Sequence, residues 1–168
     1  MTLSRMTKSS SHTWQGDKPT FIYKLYTDGS WNFKTKAGGW CVALQHRPLK
    51  SGYETETTSI RMEVTAAIKA LKLARASTII LTDSKFVIAS INIYCPAWER
   101  GNWSSETMAN KELMKKLWTA WQARADNVHI KWVKGHNGLK GNETANDEAV
   151  RQRKSIEPSR GIRRKYWK

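Results

Sequence analysis

The spacing of apolar residues changes abruptly near Arg61, and that change limits the folds open to this 168-residue chain. Before it the pattern is strand-like. Thr20 to Thr27 carries Phe21, Tyr23 and Leu25 at alternate positions, a second run spans Gly39 to His46, and Tyr53 to Ser59 holds four Thr or Ser among seven residues. Asn32 to Lys36 reads as the first turn, and Pro48, Ser51 and Gly52 mark the second, which makes an antiparallel meander. From Arg61 the spacing becomes helical: Val64, Ala67, Ile68 and Leu71 fall at i, i+3, i+4 and i+7, so a helix is expected over Arg61 to Arg75 with Glu63 in its first turn. Thr78 to Thr82 has no polar face, as in a strand buried on both sides.

The remainder alternates. Ser84 to Tyr94 is helical and is expected to stop at Pro96. Residues 97 to 107 form an aromatic-studded connection, Asn110 to Arg124 is a helix through Leu113, Leu117 and Trp121, and Val128 to Val133 is a strand. A glycine-bearing loop, Gly135 to Gly141, leads to a last helix beginning near Asn142. The order implies an α/β domain with a five-stranded mixed sheet, an antiparallel meander joined to parallel strands centred on the first and fourth, and helices on both faces. Residues 20–150 form that domain, between an N-terminal arm (1–19) and a basic C-terminal tail (151–168).

Charge sets the class of partner. Lys and Arg number 29 against 14 Asp and Glu, a net +15, and a surplus of that size points to a polyanion. Residues 150–168 alone hold eight basic side chains and one acid, or +7. No apolar run approaches the ~18 residues that cross a bilayer, and no signal-peptide pattern opens the chain, so no membrane partner and a cytoplasmic location are expected. Cys41 and Cys95 lack metal or redox spacing and read as core residues.

Three acids stand at the ends of buried elements. Asp28 follows the first strand, Glu63 opens the first helix and Asp83 ends the fourth strand. Ligand sites in such sheets form beyond the carboxyl ends of adjacent parallel strands, so Asp28 and Asp83 are expected to converge. Three fixed carboxylates suit a divalent metal. Mg²⁺ prefers carboxylate oxygens. Without metal the acids repel and one holds a proton, so metal affinity is expected to fall with falling pH.

Six short motifs occur in order: Thr27-Asp28-Gly29-Ser30, Gly38-Gly39-Trp40, Arg61-Met62-Glu63, Leu81-Thr82-Asp83-Ser84, Trp132-Val133-Lys134-Gly135-His136 and Gly141-Asn142-Glu143. In that order, from about Lys24 to Ala149, the chain resembles type 1 ribonuclease H. The resemblance implies the ribonuclease H-like fold and an endonuclease that hydrolyses the RNA strand of RNA:DNA hybrids, leaving 5′-phosphate and 3′-hydroxyl ends, with two Mg²⁺ ions (Mn²⁺ also suits). Asp28 would bridge the metals, with Glu63 and Asp83 beside it. The chain departs from the family's pattern at the fourth acid: Gly141-Asn142-Glu143-Thr144-Ala145 is followed by Asn146, and the nearest carboxylate is Asp147. Either Asn146 ligates through its amide oxygen, or Asp147 takes over, or cleavage is reduced or lost. His136, between glycines, matches the family's proton-transfer or product-release histidine.

By the same resemblance Thr58 and Asn110 grip a phosphate of the DNA strand. Ser30, Asn32 and Ser59 lie near the places of side chains that read ribose 2′-hydroxyls, and Trp98 and Trp103 resemble the aromatic part of a substrate-binding protrusion. The basic tails are expected to add phosphate contacts, and the protein is expected to act as a monomer. The competing readings are a nucleic-acid-binding relative that cleaves little and a domain cut from a retroelement polyprotein.

Overall fold

A computed structural model of the chain describes residues 23–105 and 108–158. The N-terminal arm and residues 159–168 lie outside the described residues. The five strands are β1 (Tyr23–Trp31), β2 (Gly38–Ala43), β3 (Pro48–Glu54), β4 (Thr78–Thr82) and β5 (His129–Trp132), ordered β3-β2-β1-β4-β5. β1 runs antiparallel to β2, and β2 to β3, while β1–β4 and β4–β5 are parallel. The mixed sheet is the expected one, with parallel pairing on both sides of β4.

Alternation along the central strands sends residues to two helical layers. Leu25 and Val42 face the larger core with Val64, Ile68, Ile80, Met114 and Leu117, from α1 (Ser59–Leu73), β4 and α4 (Lys111–Gln122). Tyr26, Cys41 and Ala43 face the opposite way, onto Ala145 and Ala149 of α5 (Lys140–Ser155). Each layer is therefore built from alternate residues of the same two strands. Cys41 and Cys95 are buried and free, in keeping with small core residues. Among the described residues no helix is long and apolar enough to cross a membrane.

The structure corrects several expected boundaries. The second turn falls at residues 45–47, closed by Leu44 N–H donating to the carbonyl of Arg47, and Pro48–Glu54 is strand. Gly52 reflects close packing, since the Trp40 ring lies 2.7 Å from where its Cβ would be. Pro48 is tolerated because β3 is an edge strand. Thr55–Ser59 is not strand: Thr58 is the N-cap of α1, its hydroxyl accepting from Arg61 N–H at 3.3 Å, so the helix begins at Ser59.

The helix from Ser84 does not stop at Pro96. After α2 (Lys85–Ala89) the chain widens into a π-helical turn, Ser90–Tyr94, and continues as α3 (Cys95–Arg100). Pro96 follows directly on that wider turn, in which Cys95 N–H donates to the Ser90 carbonyl five residues back. At the other end α5 continues through Ser155, past the boundary expected after residue 150. Residues 151–155 belong to the folded domain.

Two carboxylates tie α5 to the sheet. Glu148 accepts from Arg151, Gln152 and Ser51 of β3, and the Arg151 hydrogen bond brings its carboxyl down to about 2. Glu157 accepts from Arg153, Asn32 and Thr35, while Arg153 also donates to the Ser30 hydroxyl at 2.9 Å. The end of α5 is thereby fastened to the β1–β2 hairpin.

Candidate metal centre and its surroundings

The parallel register of β1 and β4 pairs Thr27 with Thr82, so the next residues, Asp28 and Asp83, emerge side by side. Glu63 reaches them from the second turn of α1 because the helix presses on β1 at Gly29. A Cβ there would lie 2.7 Å from the Glu63 main-chain nitrogen, so only glycine permits the approach. The outcome is a group in which Asp28, Glu63 and Asp83 each present a ligand atom within 4.8 Å of the others.

These acids lie in a low-dielectric, mutually repulsive setting. Asp28 is only 6% exposed, and burial, followed by the charge of Asp83, pushes its carboxyl up to about 7 from an ordinary 3.8, against the hydrogen bond it accepts from Gly29 N–H at 2.7 Å. Glu63 is raised well above the ordinary range by burial, then by Asp28 and Asp83, and its Oε2 is buried without a protein partner. A divalent cation relieves both costs, since it neutralises the repulsion and gives the orphan oxygen a ligand. The donors are carboxylate oxygens, the set preferred by hard cations, so the residues present fit such an ion.

Helix α5 presents one face to this group. Asn142 is buried, and its Nδ2 donates to Asp83 Oδ2 at 3.2 Å. Asn146 follows it by four residues and shares that face. Asp147 lies ~100° further round the helix, is exposed, and accepts the Asn146 amide at 3.3 Å. His136 is exposed in the loop before α5, with a left-handed φ of 51°.

The expected substrate contacts fall into three settings. Thr58 and Asn110 are linked through Arg61, which gives its main-chain N–H to Thr58 and its guanidinium to the Asn110 side chain at 3.2 Å. Ser30 and Asn32 are occupied internally: Ser30 accepts from Arg153, and Asn32 donates to Glu157 while accepting from Lys34 N–H. Ser59 is exposed at the start of α1. Trp98 and Trp103 have ring centroids 5.9 Å apart and lean on the main core, with Tyr94 stacked on Trp98 at 5.6 Å.

Sequence reasoning missed Asn142 and Arg61 as members of this surface. Both lay inside quoted motifs, and the four-residue step from Asn142 to Asn146 was the available signal. Trp132 was also passed over: its indole N–H donates to the Asp83 carbonyl at 3.0 Å, and Lys85 lies over its ring.

Known proteins resemble this chain along most of its length. The profile of the family described as RNase H matches residues 22–154. Ribonuclease H of Roseobacter denitrificans is 44% identical over 138 residues, covering 74% of this chain and 90% of that protein. Ribonuclease H of Dichelobacter nodosus is 37% identical over 148 residues, covering 82% and 96%. Among solved structures, LC9-RNase H1, described as a type 1 RNase H with the type 2 active-site motif, superposes with a TM-score of 0.65 at 25% identity, covering 85% of this chain and 77% of that one. A family match over most of the chain, together with relatives similar along nearly their whole length, places the protein among hydrolytic nucleases: it belongs to the RNase H family.

Proposed function

We propose that the protein is an endoribonuclease that hydrolyses the RNA strand of RNA:DNA hybrids and leaves 5′-phosphate and 3′-hydroxyl ends, with Mg²⁺ as its metal. The observation that carries this reading is the convergence of Asp28, Glu63 and Asp83 within 4.8 Å. When bound, paired divalent ions supply an activated water and charge stabilisation for the leaving oxygen. The chain's part is to hold the three carboxylates in one small volume and to surround them with donors for phosphate.

Asn146 serves as the fourth ligand through its amide oxygen. Support comes from its place on the α5 face that carries Asn142 toward Asp83, whereas Asp147 is exposed. The site then holds one negative charge fewer than one with four acids. His136, exposed in the loop before α5, is assigned the proton-transfer or product-release role. Thr58, Asn110 and the linking Arg61 form a cluster of donors suited to a phosphate of the DNA strand, and Trp98 and Trp103 supply the aromatic part of the substrate-binding protrusion. Ser30, bonded to Arg153 of α5, and Asn32, bonded to Glu157 just beyond it, shape the hairpin and leave reading of ribose hydroxyls to Ser59 and backbone groups.

A labelled hybrid incubated with Mg²⁺ or Mn²⁺ tests the proposal. Cleavage of the RNA strand by the protein, and its loss in Asp28→Asn, is the expected outcome. Equal, negligible cleavage by both would favour the second reading, a hybrid-binding relative, for which the amide at position 146 is the specific observation.

A further inference from the structure

We infer that Asn142 is a positioning residue that sets the Asp83 carboxylate for metal binding, a role that rests on the metal-dependent reading above. Asn142 is 2% exposed and sits in the first turn of α5, yet it caps nothing: the N-cap of that helix is Leu139, and no side chain bonds there. Among the described residues its one hydrogen bond to another side chain runs from Nδ2 to Asp83 Oδ2 at 3.2 Å. An ionised carboxylate only accepts, so the amide nitrogen must face it. Its Oδ1 is buried and has no partner among the described residues. Buried acceptors of that kind are rare where a residue only fills space.

The surroundings of Asp83 support this role. Its main chain is fixed by the Trp132 indole of β5. Gly135 packs so closely that a Cβ there would collide with Oδ2. Asn142 and Gly135 both bear on Oδ2, which limits rotation of the carboxylate while one of its oxygens lies in the space shared with Asp28 and Glu63. Groups that orient a ligand without touching the metal commonly change affinity by about 10–100-fold.

Calorimetric titration of Mn²⁺ into the hybrid-free protein tests the inference. Asn142→Ala and Asn142→Leu, the second close to the native volume, are each expected to raise the Mn²⁺ Kd by about 10–100-fold while remaining folded in chelator by circular dichroism. Because Asn142 acts through Asp83, Asn142→Ala should weaken binding little further in an Asp83→Asn background. Wild-type affinity in either folded variant, an equal loss in the Asp83→Asn background, or failure of both variants to fold would each overturn it. Absence of Mn²⁺ binding by the wild type, or undiminished binding by Asp28→Asn, would overturn the proposed function itself and this inference with it.

Discussion

Thr27 and Thr82 lie opposite each other in the parallel pairing of β1 and β4, and that register brings Asp28 beside Asp83. A one-residue slip would send one of the two to the other face of the sheet. The register is held by burial on both faces, with Leu25 and Ile80 packed on one side and Tyr26 on the other. The convergence of the two acids is therefore a by-product of core packing.

Asp28→Asn should abolish hybrid cleavage and, in chelator, make the protein more stable. It removes a buried charge facing two others, a group whose ionisation carries a penalty on the order of 4 kcal/mol given a carboxyl raised from 3.8 to about 7. Thermal unfolding of wild type and variant with and without Mg²⁺ checks this. The variant should melt higher in chelator and gain less from the ion.

Metal-free stability should fall as pH rises from about 4 to about 7. Asp28 and Glu63 hold their protons more tightly folded than unfolded, so the unfolded chain ionises first and gains the advantage. Glu148, held down to about 2 by Arg151, acts oppositely and lower: its contribution is present above its ordinary 4.5 and is lost as pH drops toward 2. Calorimetric scans in chelator between pH 5 and pH 8 should show a declining Tm. Added Mg²⁺ should restore more at pH 8 than at pH 5, because protons no longer compete for the acids.

Asn146→Asp should raise Mg²⁺ affinity and the cleavage rate, by about tenfold if the new carboxylate adds the ~1–2 kcal/mol expected of one more charged ligand partly offset by repulsion. Asp147→Asn should change either quantity less than twofold. A large loss in Asp147→Asn with no gain in Asn146→Asp would exchange the roles of the two residues. Single-turnover cleavage across a Mg²⁺ series measures both.

Arg153→Met should cost about 1–2 kcal/mol of stability, between the ranges for exposed and fully buried ion pairs. The Arg153 side chain is 15% exposed and its partner Glu157 18%, and the substitution would strip an ion pair together with the bond to Ser30. Urea unfolding gives the value. A loss below about 0.5 kcal/mol would mean that the fastening between α5 and the hairpin is slack.

Removing residues 159–168, which carry five basic side chains and no acid, should weaken hybrid binding and flatten its salt dependence. The cut falls after α5, sparing Arg151 and Arg153, which are engaged in the fold. An unchanged slope of log K against log salt would show that the segment makes no phosphate contacts.

Much of the architecture was legible in local pattern. The helical spacing of Val64, Ala67, Ile68 and Leu71 and the apolar run Thr78–Thr82 came directly from periodicity, and the three acids stood out because they interrupt buried elements. Boundaries were less legible where a residue's reason lay elsewhere in space. Gly52 resembles a turn residue but is small because Trp40 covers it, and Pro96 resembles a helix stop but follows a π-turn.

The sequence by itself determined the order of elements, the identity of the acids and the excess of positive charge, because these are properties of neighbours along the chain. Only the tertiary structure decided that Asn142 turns toward Asp83 while Asp147 is exposed, and that Ser30 bonds Arg153 of α5 and Asn32 bonds Glu157 just beyond it. The rotation of a helix about its axis is set by what it packs against. For α5 that is the far face of β1 and β2, contributed by residues more than ninety positions earlier in the chain.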